Sequence, residues 1–381
     1  MKKIVLLLVA CFLLHLPAYS VKGVYIDGFA SLLGNANKED SLLNYASQNG
    51  FTYLALYELH IVNASHDLTS VPTSQILADF ISKAKTLYGI QEVGACGENA
   101  SWFNNIIHVY NSIHPNPAEK IDVYNLEFEF WNTGLVAPGN YYCTTYLQPA
   151  GLSCDTSGAF TFYMQQLTSI DSLATADGVK SEIYVGWFTA AQALQMVSKA
   201  DRVLLHSYVS NVNNVYSYTQ TRLSYLASGT SVVDVVPIFS AEPSFLGGWL
   251  NTHAESGAYT IYSNGFANET GAWKSNINLL GYQWFAYSYI PYVLSTGVQD
   301  AGIGNFRFYP NPTSSSIIVE STGNSFLQSI FLCSMDRKLL KTIINNQSSM
   351  INVDLKELSP GIYFLDCKTL NGSEKVKVVK Y

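Results

Sequence analysis

Eight β-rich runs alternate with helical stretches between residues 23 and 290, and this alternation restricts the fold more than any other feature of the chain. The runs are GVYIDG (23–28), FTYLALYEL (51–59), IQEVGAC (90–96), DVYNLEFEF (122–130), EIYVGWF (182–188), RVLLHSY (202–208), VVDVVPIF (232–239) and LGYQWFAYSY (280–289). Between them lie stretches with apolar residues at helical spacing, such as SQILADFISKAKTLYG and YMQQLTSIDSLATA. Strands joined by helices must lie parallel, because each helix carries the chain back to the same edge of the sheet. The number of runs, spread over roughly 270 residues, is that of a (β/α)8 TIM barrel. A doubly wound open sheet is the alternative, but no glycine-rich phosphate loop follows the first run.

After Gly304 the helical pattern stops. Short alternating segments such as SSIIVES, SIFLCS, INVDL, GIYFLDCKT and EKVKVVKY predict a small all-β immunoglobulin-like sandwich. At the other end, Lys2 and Lys3, an apolar run and Ala18-Tyr19-Ser20 make an export signal cleaved before Val21. LVAC ending at Cys11 has the form of a lipobox, but the apolar run continues past it. The expected organisation is a signal peptide (1–20), a barrel (21–300) and a C-terminal sandwich (305–381). No later segment is apolar enough to span a membrane, so the mature chain is expected outside the cell.

The formal net charge of −7 and the lack of a basic patch argue against nucleic acid as a partner. The 26 tyrosines suit carbohydrate surfaces but are equally ordinary strand residues. Of six cysteines, Cys143 and Cys154 flank a polar loop and can close a small disulfide; a Cys333–Cys367 bridge stays open, and Cys96 has no evident partner. No spacing suggests a metal or a cofactor, and neither G-x-S-x-G nor H-E-x-x-H occurs.

The fourth run poses the chemical question. In IDVYNLEFEFWN, Asn125, Glu127 and Glu129 alternate with Leu126, Phe128 and Phe130. Side chains alternate along a strand, so the polar row should line the barrel interior while the apolar row packs on the helices. Glu129 then stands at the C-terminal end, where barrel active sites are built. Asp27, Glu58 and Glu98 also fall at the ends of strand runs and are candidates for sugar hydroxyls or salt bridges, and Glu242 just past the seventh run is a further substrate-binding candidate.

Asp122-Val-Tyr-Asn125-Leu-Glu127-Phe-Glu129 resembles the D-x-x-D-x-D-x-E motif of family 18 glycoside hydrolases, the chitinases and endo-β-N-acetylglucosaminidases. The spacing is complete, with Asn125 and Glu127 replacing aspartates. The resemblance implies that Glu129 is the general acid and that Glu127 orients the substrate's 2-acetamido group, whose oxygen attacks the anomeric carbon. It implies that Tyr208, in His206-Ser207-Tyr208, hydrogen-bonds the acetamido oxygen and that Trp284 is the floor under the reacting sugar. Asn125, Asp122 and His206 join as substrate-binding positions. A second resemblance, to retaining glycosidases of the large barrel clan A, pairs Glu129 with Glu242 after the seventh strand. A barrel that binds glycan without cleaving it is the third reading.

In the tail, Tyr309-Pro310-Asn311-Pro312, the MDRKLL turn, LSPGIYFL and a basic, β-branched C-terminus resemble the sorting domain of the type IX secretion system of Bacteroidetes. That resemblance implies the secretion machinery as a partner and delivery to the cell surface or beyond it. An ordinary carbohydrate-binding sandwich is the alternative.

Overall fold

A computed structural model describes residues 20–290 and, beyond them, 306–309, 311, 313–321, 327–334, 338–344, 350–369 and 372–380. The signal-peptide and lipobox readings, and the poorly marked last helical stretch after Ile290, lie outside the described residues. The chain divides into two compact units, at Pro291 and Tyr292.

The first unit is a closed parallel barrel. Its strands are β1 (Val21–Ile26), β2 (Tyr53–Leu56), β3 (Glu92–Gly97), β4 (Val123–Leu126), β5 (Lys180–Val185), β6 (Arg202–His206), β7 (Val233–Ser240), β8 (Ile277–Leu279) and β9 (Gly281–Phe285). Each pairs with its neighbour in order, and β9 returns to β1 through Val21↔Gly281, which closes the ring. Segments β8 and β9 both pair with β7 and form one eighth strand interrupted at Leu280. The interruption needs glycine: Gly281 has φ +144°, and a Cβ there would lie 1.8 Å from the Val21 carbonyl oxygen.

Helices separate the strands for local reasons. The helix over Val71–Tyr88 begins with Pro72 in its first turn and stops at Gly89 in the left-handed region. It buries Leu77, Phe80, Ile81 and Ala84, one face at helical spacing. Thr156–Asp177 starts where the Asp155 carboxylate accepts from Ser157 and Gly158 N–H, and ends at Gly178. The helix Ala190–Val197 opens on a capping box between Thr189 and Gln192.

Alternation along the strands produces two cores. The outer one, between strands and helices, holds Leu54, Leu126, Phe128, Phe130, Ile183, Val235 and Phe239; the inner one holds Tyr25, Tyr53, Cys96, Val123, Tyr184, Leu204 and Ile238. The inner core also encloses charge. The Arg202 guanidinium, 1% exposed, donates to Glu182 through Nε and to Glu92 Oε2 at 2.7 Å. Lys180 also pairs with Glu92, and the Tyr53 hydroxyl donates to Glu182 Oε1 at 2.8 Å. Buried ions persist only when paired and hydrogen-bonded in this way.

The second unit is two antiparallel sheets. One orders β10 (Phe306–Tyr309), β11 (Ser316–Ser321) and β14 (Met350–Asp354); the other orders β13 (Leu339–Ile344), β12 (Leu327–Ser334), β15 (Gly361–Thr369) and β16 (Gly372–Lys380). Phe306, Ile317, Val319 and Val353 from the first share a core with Ile330, Leu332, Leu365 and Val378 from the second. Asn311, from the Tyr-Pro-Asn-Pro motif, clamps the last strand: it donates to Lys377 O at 2.6 Å and accepts from Val379 N–H at 2.9 Å. The ladder sets Cys333 opposite Phe364 and Cys367 opposite Ile330, so these two cysteines do not face each other. Cys143 and Cys154 are joined, with Cα atoms 5.0 Å apart.

Candidate active site at the mouth of the barrel

The strand-four alternation is as the sequence predicts. Phe128 and Phe130 are buried in the outer core, and Asn125 is fully buried in the interior. β4 ends at Leu126, but the Glu127 N–H still donates to Gly97 O at 2.9 Å, which carries the register one residue further. Glu127 and Glu129 therefore stand at the C-terminal rim.

Glu127 is half-buried as a residue, and its Oε2 is shielded from solvent without a hydrogen-bond partner. Burial pushes its carboxyl up to about 8, with like charge from Glu129 and then Glu98 adding to the effect. Glu129 Oε2 accepts from Asn132 Nδ2 at 2.7 Å, and its N–H donates to the Tyr142 hydroxyl at 3.3 Å. Glu98, directly after β3, accepts from the hydroxyls of Tyr141 at 2.8 Å, Tyr146 at 2.6 Å and Tyr142 at 3.4 Å. Tyr146 lies in the loop that the Cys143–Cys154 disulfide closes, and Tyr141 and Tyr142 directly precede it.

Tyr208 joins this group. Its hydroxyl is bonded to Tyr184, and burial, then Glu127, then Glu242 and Glu129 raise its pKa well above that of a free tyrosine. Tyr57 is raised by Glu127 first and by burial second. Glu242 follows β7; its Oε2 accepts from the Ser240 hydroxyl at 2.8 Å. The structure thus gathers Glu127, Glu129, Glu242 and Tyr208 at one end of the barrel. His206 lies beside them, its ring 4.1 Å from Tyr208 and 5.0 Å from Trp187. Burial and then the Arg222 charge lower its pKa to about 3, so it is a neutral ring.

Other sequence-derived positions fall elsewhere. Trp284 is fully buried in the outer core, its indole N–H donating to Glu255 O at 3.3 Å, so it cannot be a floor beneath a ligand. The ring that faces Tyr25, Tyr57 and Tyr208 from this strand is Phe285. Asp122 lies at the opposite, N-terminal end of β4, paired with Lys85 at 2.7 Å and accepting from Val93 N–H at 2.8 Å. Its position is that of a strand anchor, not of a substrate ligand. Asn125 sits below Glu127 and donates to Glu182 Oε1 at 2.6 Å. Asp27, after β1, accepts from the Ser288 N–H at 2.9 Å and from its hydroxyl. Glu58, at φ 61°, is the left-handed residue before the helix Leu59–Ser65, and its charge reaches Tyr57.

Two residues at the mouth escaped the sequence reading. Trp131 packs over Gly186, where a Cβ would come within 2.5 Å of the indole. Trp187, next in the chain, is 50% exposed and is backed by the Arg222 guanidinium at 5.2 Å. Arg222 is itself held by Gly186 O at 2.8 Å and Tyr218 O at 2.9 Å. The available signal was their place directly after strand ends. Among the described residues, no group of three or more His, Cys, Asp or Glu is arranged to hold a metal ion.

A carboxyl that keeps its proton to about 8, beside other carboxyl groups, can donate that proton near neutrality and take it back. Tyrosine hydroxyls and aromatic rings around it suit a polar ligand with apolar faces.

Residues 307–381 match the secretion system C-terminal sorting domain. The chain therefore ends in a sorting domain, which agrees with the tail motifs. A search among curated proteins returned no match. Among solved structures, the chain is similar to Bacteroides uniformis β-glucuronidase 2 (8% identity, TM-score 0.43, covering 96% of this chain and 46% of that one). It is also similar to a Cellulomonas fimi endo-β-1,4-mannanase double mutant (12%, 0.37, 95% and 94%) and an Escherichia coli aldolase (10%, 0.34, 64% and 72%). The chain spans under half the length of the glucuronidase. Likenesses this remote carry no inference about activity.

Proposed function

We propose that the barrel is an exported glycoside hydrolase acting on N-acetylglucosamine-containing glycans. The observation that carries this reading is the Glu127–Glu129 pair at the mouth, in which one buried carboxyl retains a proton to about 8. Burial first, and then the like charge of Glu129, keep that proton on Glu127. Glu129, at the outer position, delivers it to the glycosidic oxygen as the C–O bond breaks. The acetamido oxygen of the same sugar closes on the anomeric carbon, and Tyr208 donates to that group. Water then opens the cyclic intermediate and returns a proton to the pair. The sorting domain supports export by a type IX system, with the barrel acting at or beyond the cell surface.

A second reading has its own support. Glu242 stands at the end of β7, and its charge, like those of Glu127 and Glu129, reaches Tyr208. Glu129 as acid/base and Glu242 as nucleophile would make a retaining glycosidase of broader substrate range.

The test is turnover of chitotetraose and of an N-linked glycan by the full chain and two variants. Glu129→Gln should lower kcat about 10²–10⁴-fold with binding retained. Glu242→Gln should be mild under the acetamido mechanism and as severe as Glu129→Gln under the second. If neither variant changes turnover, both mechanisms fail; if the full chain turns over neither glycan, the barrel binds glycan without cleaving it or serves another chemistry.

A further inference from the structure

Glu98 is not absorbed by either mechanism, yet it accepts hydrogen bonds from three tyrosine hydroxyls at the mouth. Its donors come from one short segment, Tyr141 to Tyr146, which spans the start of the loop closed by the Cys143–Cys154 disulfide: Tyr146 lies inside the loop, and Tyr141 and Tyr142 directly precede it. Within that segment Tyr142 has two further contacts. Its ring stacks on Phe128, with centroids 4.0 Å apart and planes 12° apart. Its hydroxyl also accepts from the Glu129 N–H at 3.3 Å. Phe128 lies between the two strand-four glutamates in the chain, so Tyr142 holds that segment by a side chain and by the backbone at once.

We propose that Glu98 is a positioning residue for the strand-four pair, acting through Tyr142, and that the Cys143–Cys154 disulfide, which begins at the next residue, anchors Tyr142 in place. This rests on the glycosidase reading only for its kinetic consequences; the placement itself stands on the hydrogen bonds. Two effects follow. Tyr142, tied to Glu98, fixes the chain direction at Glu129, and misplacement of a proton donor by about 1 Å can cost 10²-fold in rate. In addition, the Glu98 charge bears on Glu127 and favours its protonated form.

The groups whose charge couples with Glu127 come from every strand packed against it. They are Tyr25 from β1, Tyr57 after β2, Cys96 and Glu98 from and after β3, Glu129 on its own strand, Tyr142, Tyr184 from β5 and Tyr208 after β6. Of these only Glu98 and Glu129 are carboxyl groups, so removing the Glu98 charge should be felt at Glu127.

The experiment uses the full chain with Glu98→Gln, Tyr142→Phe and the double variant Cys143→Ser/Cys154→Ser. Carbon-13 NMR of the side-chain carboxyls follows Glu127 through a pH titration, which requires no turnover. Glu98→Gln should move the Glu127 midpoint to lower pH by at least half a unit. With a 4-methylumbelliferyl N-acetyl-β-chitobioside probe, its alkaline limb should fall by the same amount. Tyr142→Phe and the double cysteine variant should lower kcat roughly tenfold or more with KM little changed, as expected for a displaced donor. An unmoved Glu127 midpoint in folded Glu98→Gln, or equal losses in kcat/KM through KM alone in Tyr142→Phe, overturns the proposal. If the wild-type chain cleaves no glycoside but the midpoint moves, the glycosidase reading fails and the coupling of Glu98 to the strand-four pair stands.

Discussion

The Nδ2 of Asn125 donates at 2.6 Å to Oε1 of Glu182, its register partner on the adjacent strand β5, and this pair explains why the strand-four motif carries asparagine at that position. Glu182 already answers to Arg202 and Tyr53. It needs a donor from β4, which an ionised aspartate cannot supply. Asn125→Asp sets a second carboxylate against a buried one and should destabilise the barrel by about 2–4 kcal/mol at pH 7. The loss should shrink as the pH falls and one of the two takes up a proton. Urea denaturation at pH 7 and pH 4.5 checks both, and an equal loss at the two values contradicts the account.

Glu127 carries a pH dependence of known sign. Its carboxyl binds its proton at about 8 when folded, against a reference of 4.5. Between those values the folded state holds more protons than the unfolded one, so stability falls as pH rises through this window and is flat below and above it. Glu127→Gln removes the carboxyl without changing its shape. The melting temperature of the variant's barrel should exceed that of wild type at pH 8 and converge with it near pH 4. Thermal denaturation at both values decides, and a constant gap counts against a retained proton.

Trp187 offers a ring to solvent at the mouth, with Arg222 and His206 holding it in place. Stacking of this kind contributes about 0.5–1.5 kcal/mol. Trp187→Ala should therefore raise KM for an oligosaccharide about 3–10-fold with kcat little changed, while Trp187→Phe recovers most of the loss. A fall in kcat alone would place Trp187 outside the binding surface.

The two units have separate cores, so the sorting domain should be dispensable for chemistry. A chain ending at Gly304 should turn over soluble glycan at the wild-type rate once purified, yet fail to reach the surface of the native cell. Activity assays and surface proteolysis measure the two halves of this expectation.

Much of the site was legible because apolar residues marked the hidden face of β4. Leu126, Phe128 and Phe130 can only pack on helices, which forces Asn125, Glu127 and Glu129 the other way. The eighth strand gave no such mark. In GYQWFAY, aromatic residues occupy both parities, and the break at Leu280 removes the register that would choose between them. Trp284 therefore reads as a sugar floor in sequence, while the fold turns it to the helices and turns Phe285 inward.

The motif assigns the proton to Glu129 by position, whereas the raised proton affinity belongs to Glu127. That affinity comes first from burial, then from Glu129 and from Glu98 after β3; the burial and the Glu98 charge are long-range effects that spacing cannot carry. The charged layer of Arg202, Glu182 and Glu92 was unreadable for the same reason, since its members are distant in sequence and look ordinary alone. By itself the sequence determined the alternation of strands and helices, the inward face of β4 and the sorting tail, because each depends on residues close together in the chain. Only the tertiary structure decided which carboxyl keeps a proton, why position 125 is asparagine and which aromatic ring faces the mouth, because each depends on groups brought together by the closing of the barrel.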